Sequence, residues 1–260
     1  MSKRRLRRGG LVTAFVAGTV LLSAAPASAA PGDGSAYGAE VNVSLLGAPA
    51  VQAGPFAAAH TDGPTNNSFA GVDLPGILNT GVITTEAVRD DESGAVQSSA
   101  TTAGVGLPLL QAALGNVGAE AVTATCSATQ DGNTGSTTLA GIDLGSLGEI
   151  PVEPGPNTTL AVALPIIGEV ARLTFNEQIE NSDGSLTVNA IHLELLGGSG
   201  LGAIGSGDLV ISSATCGPAG LPVPLASGAG LWIGLGVVSA VALPVGYRFV
   251  RNRRTATVAS

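Results

Sequence analysis

Apolar and polar residues alternate along much of this chain with a period of two, the pattern of half-buried β-strands. In 39–45, Ala39, Val41, Val43 and Leu45 share one parity, with Glu40, Asn42 and Ser44 on the other. Residues 81–88 are rich in β-branched side chains, and 118–128 set Glu120, Val122, Ala124 and Cys126 at one parity. Residues 136–144 and 158–164 are further strands. A hairpin is predicted from 172–180 and 185–196 around Asn181-Ser182-Asp183-Gly184, with Leu173, Phe175 and Ile179 facing inward. On its second arm Leu186, Val188 and Ala190 share one parity while Ile191, Leu193 and Leu195 share the other, which calls for a bulge near Ala190. Residues 207–216 form a last strand. Glycine and proline recur every few residues and leave room for one short helix, 107–114. The expected fold is all-β, a Greek-key-like β-sandwich.

Two stretches break the alternation. Residues 226–247 are almost wholly apolar, including Leu231 and Trp232, and as a helix would reach about 33 Å, enough for a hydrocarbon core of about 30 Å. Arg248, Arg251, Arg253 and Arg254 follow, the cytoplasmic flank of the positive-inside rule. At the other end a basic start, an apolar run over 11–22 and Ala27-Ser28-Ala29 describe a secretory signal cut between Ala29 and Ala30. The expected organisation is a signal peptide (1–29), a lead-in (30–37), a β-rich extracellular domain (38–217), a linker (218–225), a transmembrane helix (226–247) and a cytoplasmic basic tail (248–260). This places the protein in the cell membrane with a single pass, its partner the lipid bilayer.

Charge sharpens this topology. Residues 30–225 carry nineteen acidic side chains against two basic ones, Arg89 and Arg172, a net of −17. Such a surface repels nucleic acid. Aromatic residues are scarce, so the core is built from Val, Leu, Ile and Ala. The chain has two cysteines, both on predicted strands of an exported domain, which predicts the disulfide Cys126–Cys216. Phe69–Leu74 echoes Leu139–Leu144, and Ala124-Thr125-Cys126 echoes Ala214-Thr215-Cys216.

The exported part resembles the actinobacterial surface proteins of the choice-of-anchor P family. The likeness rests on Gly135–Leu139, Pro156-Asn157-Thr158-Thr159, Leu173–Gln178, Ser185–His192 and the paired Cys126 and Cys216. It implies a cell-surface module whose C-terminal attachment varies between members, and no established activity. A sortase signal would show Leu-Pro-x-Thr-Gly; Leu221-Pro222-Val223-Pro224-Leu225 lacks the Thr-Gly pair, so a retained membrane helix is expected.

Catalytic constellations are sparse. His192 shares its parity with Glu194 on a polar strand face, His60 lies beside Thr61-Asp62-Gly63 in a turn, and no Gly-x-Ser-x-Gly elbow accompanies either. No catalytic residue and no cofactor are expected. Asp90, Asp91 and Glu92 are the one acidic cluster and the candidate Ca2+ ligands. The function expected is a surface β-domain with a structural, adhesive or display role. The alternatives are an extracellular domain binding Ca2+ or an envelope component, and a hydrolase of unrecognised type.

Overall fold

The computed structural model describes residues 32–45, 49–165, 168–197 and 205–221. Among the described residues fourteen strands follow one another. They are β1 (Gly34–Leu45), β2 (Val51–Phe56), β3 (Ala59–His60), β4 (Asn66–Phe69), β5 (Asp73–Leu74), β6 (Leu78–Asn79), β7 (Ile83–Arg89) and β8 (Val96–Gly106). After a 3-10 turn over Pro108–Leu110 and the short helix α1 (Gln111–Leu114) come β9 (Gly118–Thr129), β10 (Gly132–Ala140), β11 (Thr158–Leu164), β12 (Gly168–Glu180), β13 (Leu186–Leu196) and β14 (Gly205–Cys216). The strand that starts at Gly34 takes in half of the stretch expected as a lead-in.

All pairings are antiparallel and form two sheets. The first has the order β11-β12-β13-β14-β1-β2, with β3 also on β1; the second runs β10-β9-β8, with β7 and β6 both on β8, β4 on β7 and β5 on β6. Most neighbours are consecutive in sequence, and β14–β1 is the junction that joins distant segments. In place of the expected Greek-key order, hairpin neighbours dominate. The sheets face each other, β10 and β9 over β13, β8 over β14 and β1. Between them lie Val41, Val43, Val122, Leu139, Leu173, Phe175, Leu193, Leu209 and Ile211, almost without solvent contact. Cys126 of one sheet and Cys216 of the other form the predicted disulfide, with Cα atoms 5.6 Å apart.

Both sheets reverse their pleat along a transverse row. In β13 the inward residues are Leu186 and Val188 on one side of the row and Ile191, Leu193 and Leu195 on the other. The pairings of β13 with β12 and β14 keep one register through this point, so the change of parity is no bulge. Neighbouring strands change phase at matching positions, Asn157, Asn176, Ala190, Ser212, Gly38 and Ala57. Four of these residues hold left-handed backbone: Asn157 (φ 55°), Asn176 (φ 49°), Ser212 (φ 55°) and Ala57 (φ 53°). A shared phase change lets both halves of the sheet present apolar side chains to the same core. It also turns Ile179, expected inside, out to 42% exposure. In the second sheet the reversal passes through Gly104 (φ 58°), Glu120 and Gly141 (φ 57°), and it exposes Glu120 while Val122, Ala124 and Cys126 stay inside.

The first row carries a buried polar link between the sheets. Ser212 Oγ lies 2.9 Å from Thr102 Oγ1 and 2.9 Å from the Val122 carbonyl oxygen, and the Thr102 hydroxyl donates to the Gly38 carbonyl at 3.0 Å. Ser212 and Thr102 are fully buried, so each hydroxyl needs a hydrogen-bond partner.

The two ends of the described chain meet. Gly32 N–H donates to the Pro218 carbonyl at 2.8 Å, Gly217 N–H to Asp33 at 2.7 Å, and Gly220 N–H to Gly94 at 2.8 Å. Arg89 spans the same pole, with Nε 3.3 Å from Asp91 and Nη1 within 4 Å of Asp33 and Asp62. The disulfide sits at this pole as well, because Gly34 pairs with Cys216.

Candidate functional site

The outer face of the first sheet gathers a set of titratable side chains around one histidine. Two rows of cross-strand neighbours flank the pleat reversal. One runs Glu177–Asn189–Ser213–Tyr37 across β12, β13, β14 and β1; the other runs Thr174–His192–Val210–Glu40 across the same strands. Asp208 follows one pleat further along β14. The reversal brings the two rows together, and His192 reaches diagonally across it.

His192 is held at both ring nitrogens. Nδ1 lies 2.9 Å from Glu177 Oε1 and Nε2 3.1 Å from Asp208 Oδ1. A neutral imidazole donates at one nitrogen only, whereas the imidazolium donates at both. The hydrogen bond to Glu177 raises the His192 pKa above its ordinary value; burial opposes this, and Asp208 adds to it. For Glu177, burial pushes the carboxyl up, but the bonds from His192 and from Asn189 (Nδ2 to Oε2, 2.7 Å) outweigh it and hold the pKa below its usual value. The side chains of His192 and Glu177 are 22% and 18% exposed. Tyr37 completes the cluster: burial pushes its phenol up to about 12, Ser213 opposes this and Glu40 adds to it. Asn189 Oδ1 is buried and has no partner.

This arrangement clamps three strands through one ring. Neither imidazole nitrogen reaches a hydroxyl, so the Ser-His pairing that activates a nucleophile is not assembled at His192. The side chain expected as an ordinary polar-face histidine is a half-buried ion-pair centre. Sequence parity placed it on the correct face but missed Glu177 and Asp208. The predicted Asn181–Gly184 turn contained the signal, since its register sets Glu177 opposite Asn189, next but two to His192.

The other expected residues are dispersed. His60 is exposed at the end of β3, where its carbonyl accepts Gly63 N–H at 3.2 Å in a turn. Asp90 holds its own loop, accepting Glu92 N–H at 2.9 Å and the Ser93 hydroxyl at 2.7 Å, which lowers its pKa. Asp91 pairs with Arg89. Asp90 and Asp91 are thus engaged within their own loop, to which Glu92 adds its N–H, and among the described residues no three His, Cys, Asp or Glu side chains are grouped to hold a metal ion. Ala29, Ala30, Leu231, Trp232, Arg248, Arg251, Arg253 and Arg254 lie outside the described residues, as does the expected span. Among those described, no helix is long and apolar enough to cross a membrane.

At the pole away from the chain ends, a groove of about 590 Å³ runs between the end of β8 and the start of β9. Asn79, Gln111, Asn116, Glu120 and Asp143 rim it, and glycine backbone forms much of its wall. A Cβ at Gly141 would meet the Glu120 side chain at 2.5 Å, and one at Gly106 the Asn79 side chain at 2.3 Å, so either would displace a side chain of the rim. Compared with known protein families, curated proteins and solved structures, the chain matches none of them.

Proposed function

We propose that this chain is an exported, single-pass membrane protein whose β-domain stands outside the cell in a structural, adhesive or display role, without catalysis. The observation that carries the reading is the meeting of the two ends of the described part, Gly32 with Pro218 and Gly217 with Asp33, at one pole beside the Cys126–Cys216 disulfide. A domain tethered there presents its opposite pole, with the polar groove, farthest from the bilayer. The disulfide fits an oxidising compartment. The net charge of −17 fits a domain kept dispersed in water. The resemblance to choice-of-anchor P proteins points the same way, with the apolar stretch 226–247 as the attachment. The His192 clamp belongs to this reading as a fastener of the sheet.

Protease treatment of intact cells tests the proposal. The expected result is loss of residues 40–216 from the cells, with the full chain kept in the membrane fraction through salt washing. Protection of those residues in intact cells, or release of the whole chain by salt, overturns it.

A further inference from the structure

The groove at the pole away from the chain ends is rimmed by acids and amides with no base among them. Its Glu120 stands on β9 between two glycines, Gly104 of β8 and Gly141 just past β10, as the flanking pairs Val105–Ala119 and Ala121–Ala140 require. Both glycines hold left-handed backbone, φ 58° and 57°, and neither has a side chain to lay over the carboxylate. Gly118 and Asp143 exchange both backbone hydrogen bonds, at 2.9 and 2.8 Å, which sets Asp143 diagonally from Glu120. Diagonal neighbours lie about 7–8 Å apart, so a small cation fits between the two carboxylates. Asp143 Oδ1 accepts Gly145 N–H at 2.9 Å, which fixes that carboxyl in place. Among the described residues, no hydrogen bond or ion pair engages the side chains of Glu120, Asn79, Gln111 or Asn116.

We infer that this groove binds a lysine side chain presented by an extended peptide segment of a partner protein. Charge and hydrogen-bonding capacity select the occupant. Residues 30–225 contain no lysine, and both of their arginines are engaged elsewhere. Arg89 pairs with Asp33, Asp62 and Asp91 at the opposite pole, and Arg172 with Glu169 and Glu194 on the first sheet. The groove carboxylates therefore attract a cation from outside the domain. A metal ion is the poorer fit: Ca2+ takes about six to eight oxygens, and among the described residues no three acidic or histidine side chains gather for it. An ammonium carries its donors on a compact head that separate carboxylates can share, whereas the guanidinium fork matches a single carboxylate. Asn79, Gln111 and Asn116 each donate and accept, as a peptide backbone does, while a polyamine offers donors alone. The volume of about 590 Å³ is that of an ordinary ligand cleft and admits one side chain with its flanking peptide units.

The inference gives the adhesive reading a partner and rests on that reading for its setting alone. Protease access on cells and binding by the purified chain are separate measurements, so either can fail without the other. Fluorescence anisotropy with the full-length chain in detergent tests the groove, using a labelled, end-blocked peptide with one lysine among glycines. The expected result is saturable binding below millimolar concentration, weakened at least about tenfold when norleucine replaces the lysine. Glu120→Gln is expected to weaken it at least about tenfold as well, with an unchanged melting temperature because that side chain is exposed. Asp143→Asn keeps an oxygen for Gly145 N–H and is expected to weaken binding in the same direction. Glu86→Gln removes the same charge from an exposed position of the same sheet outside the groove, and is expected to change binding less than about twofold. Equal binding of the norleucine peptide overturns the inference, and so does an equal loss in Glu120→Gln and Glu86→Gln. Tighter binding of spermidine than of the peptide, or no saturation by the lysine peptide at millimolar concentration, overturns it too.

Discussion

Replacing Ser212 with alanine removes the hydroxyl that joins the two sheets at the pleat reversal. The Val122 carbonyl and the Thr102 hydroxyl, each 2.9 Å from it, then sit in a dry interior with a contact missing. A buried polar group stripped of its partner costs about 1–3 kcal/mol. Alanine and serine meet the same steric penalty at φ 55°, so backbone strain does not separate them. The expected loss is about 2 kcal/mol, which in a domain of 150–250 residues lowers the melting temperature by about 4–8 °C. Ser212→Gly loses the same hydroxyl but accepts left-handed backbone freely, a relief of about 1–2 kcal/mol. Glycine is thus expected to fall between alanine and wild type, and Ser212→Val below both, because a β-branched side chain tolerates this φ least. Thermal melts followed by circular dichroism order the four proteins. An alanine variant at least as stable as the glycine variant, or both within a degree of wild type, would refute the left-handed row and its polar link together.

Three further outcomes are expected. The His192 clamp makes stability depend on pH: the His192 pKa is raised in the folded state, mainly by Glu177, so its contribution is complete below the ordinary value of 6.5 and is lost as pH climbs through the folded value. Glu177, whose pKa is lowered, contributes above 4.5 and loses this as pH falls through its own folded value, so melting should peak in weak acid. His192→Gln should flatten the alkaline decline, although Asp208, Glu194, Arg172, Glu40 and Tyr37 share that face; an unaltered profile removes the clamp. Reducing Cys126–Cys216, separated by 90 residues, releases about 4–5 kcal/mol of chain entropy and should lower the melting temperature by about 10 °C or more; a fall under two degrees contradicts the loop-closure account. In Gly38→Ala the new methyl would meet Ile83 Cγ2 at 1.9 Å, which forces repacking at about 1–3 kcal/mol by chemical denaturation, and a neutral result shows that β1 and β7 do not approach so closely.

Most strands were legible because their inward residues are aliphatic. Residues 158–164 coincide with β11, and 118–128 and 172–180 lie within β9 and β12. Those that escaped are the short β2, β3, β4, β5 and β6 and the long β8, at the middle of the second sheet. The inward positions of β8 include Ser98, Ala100 and Thr102, so periodic burial left no periodic hydrophobicity. The repeat Ala-Thr-Cys proved structural, since both copies put Ala and Cys inside and Thr outside, and their cysteines join. The mixed parity of β13 was visible in the sequence, but one strand alone does not distinguish a bulge from a reversal shared by its neighbours. The site was hidden for the same reason: Glu177, His192 and Asp208 lie on three strands, and their meeting depends on register.

Tension that enters along the chain beyond Gly217 reaches Cys216 before any other residue of the two sheets. β14 is zipped to β1 on one flank and β13 on the other, and at Cys216 it is bolted to β9. A load from that end is therefore divided at once between both layers, and peeling halts at a covalent bond before the first rung of the central ladder opens.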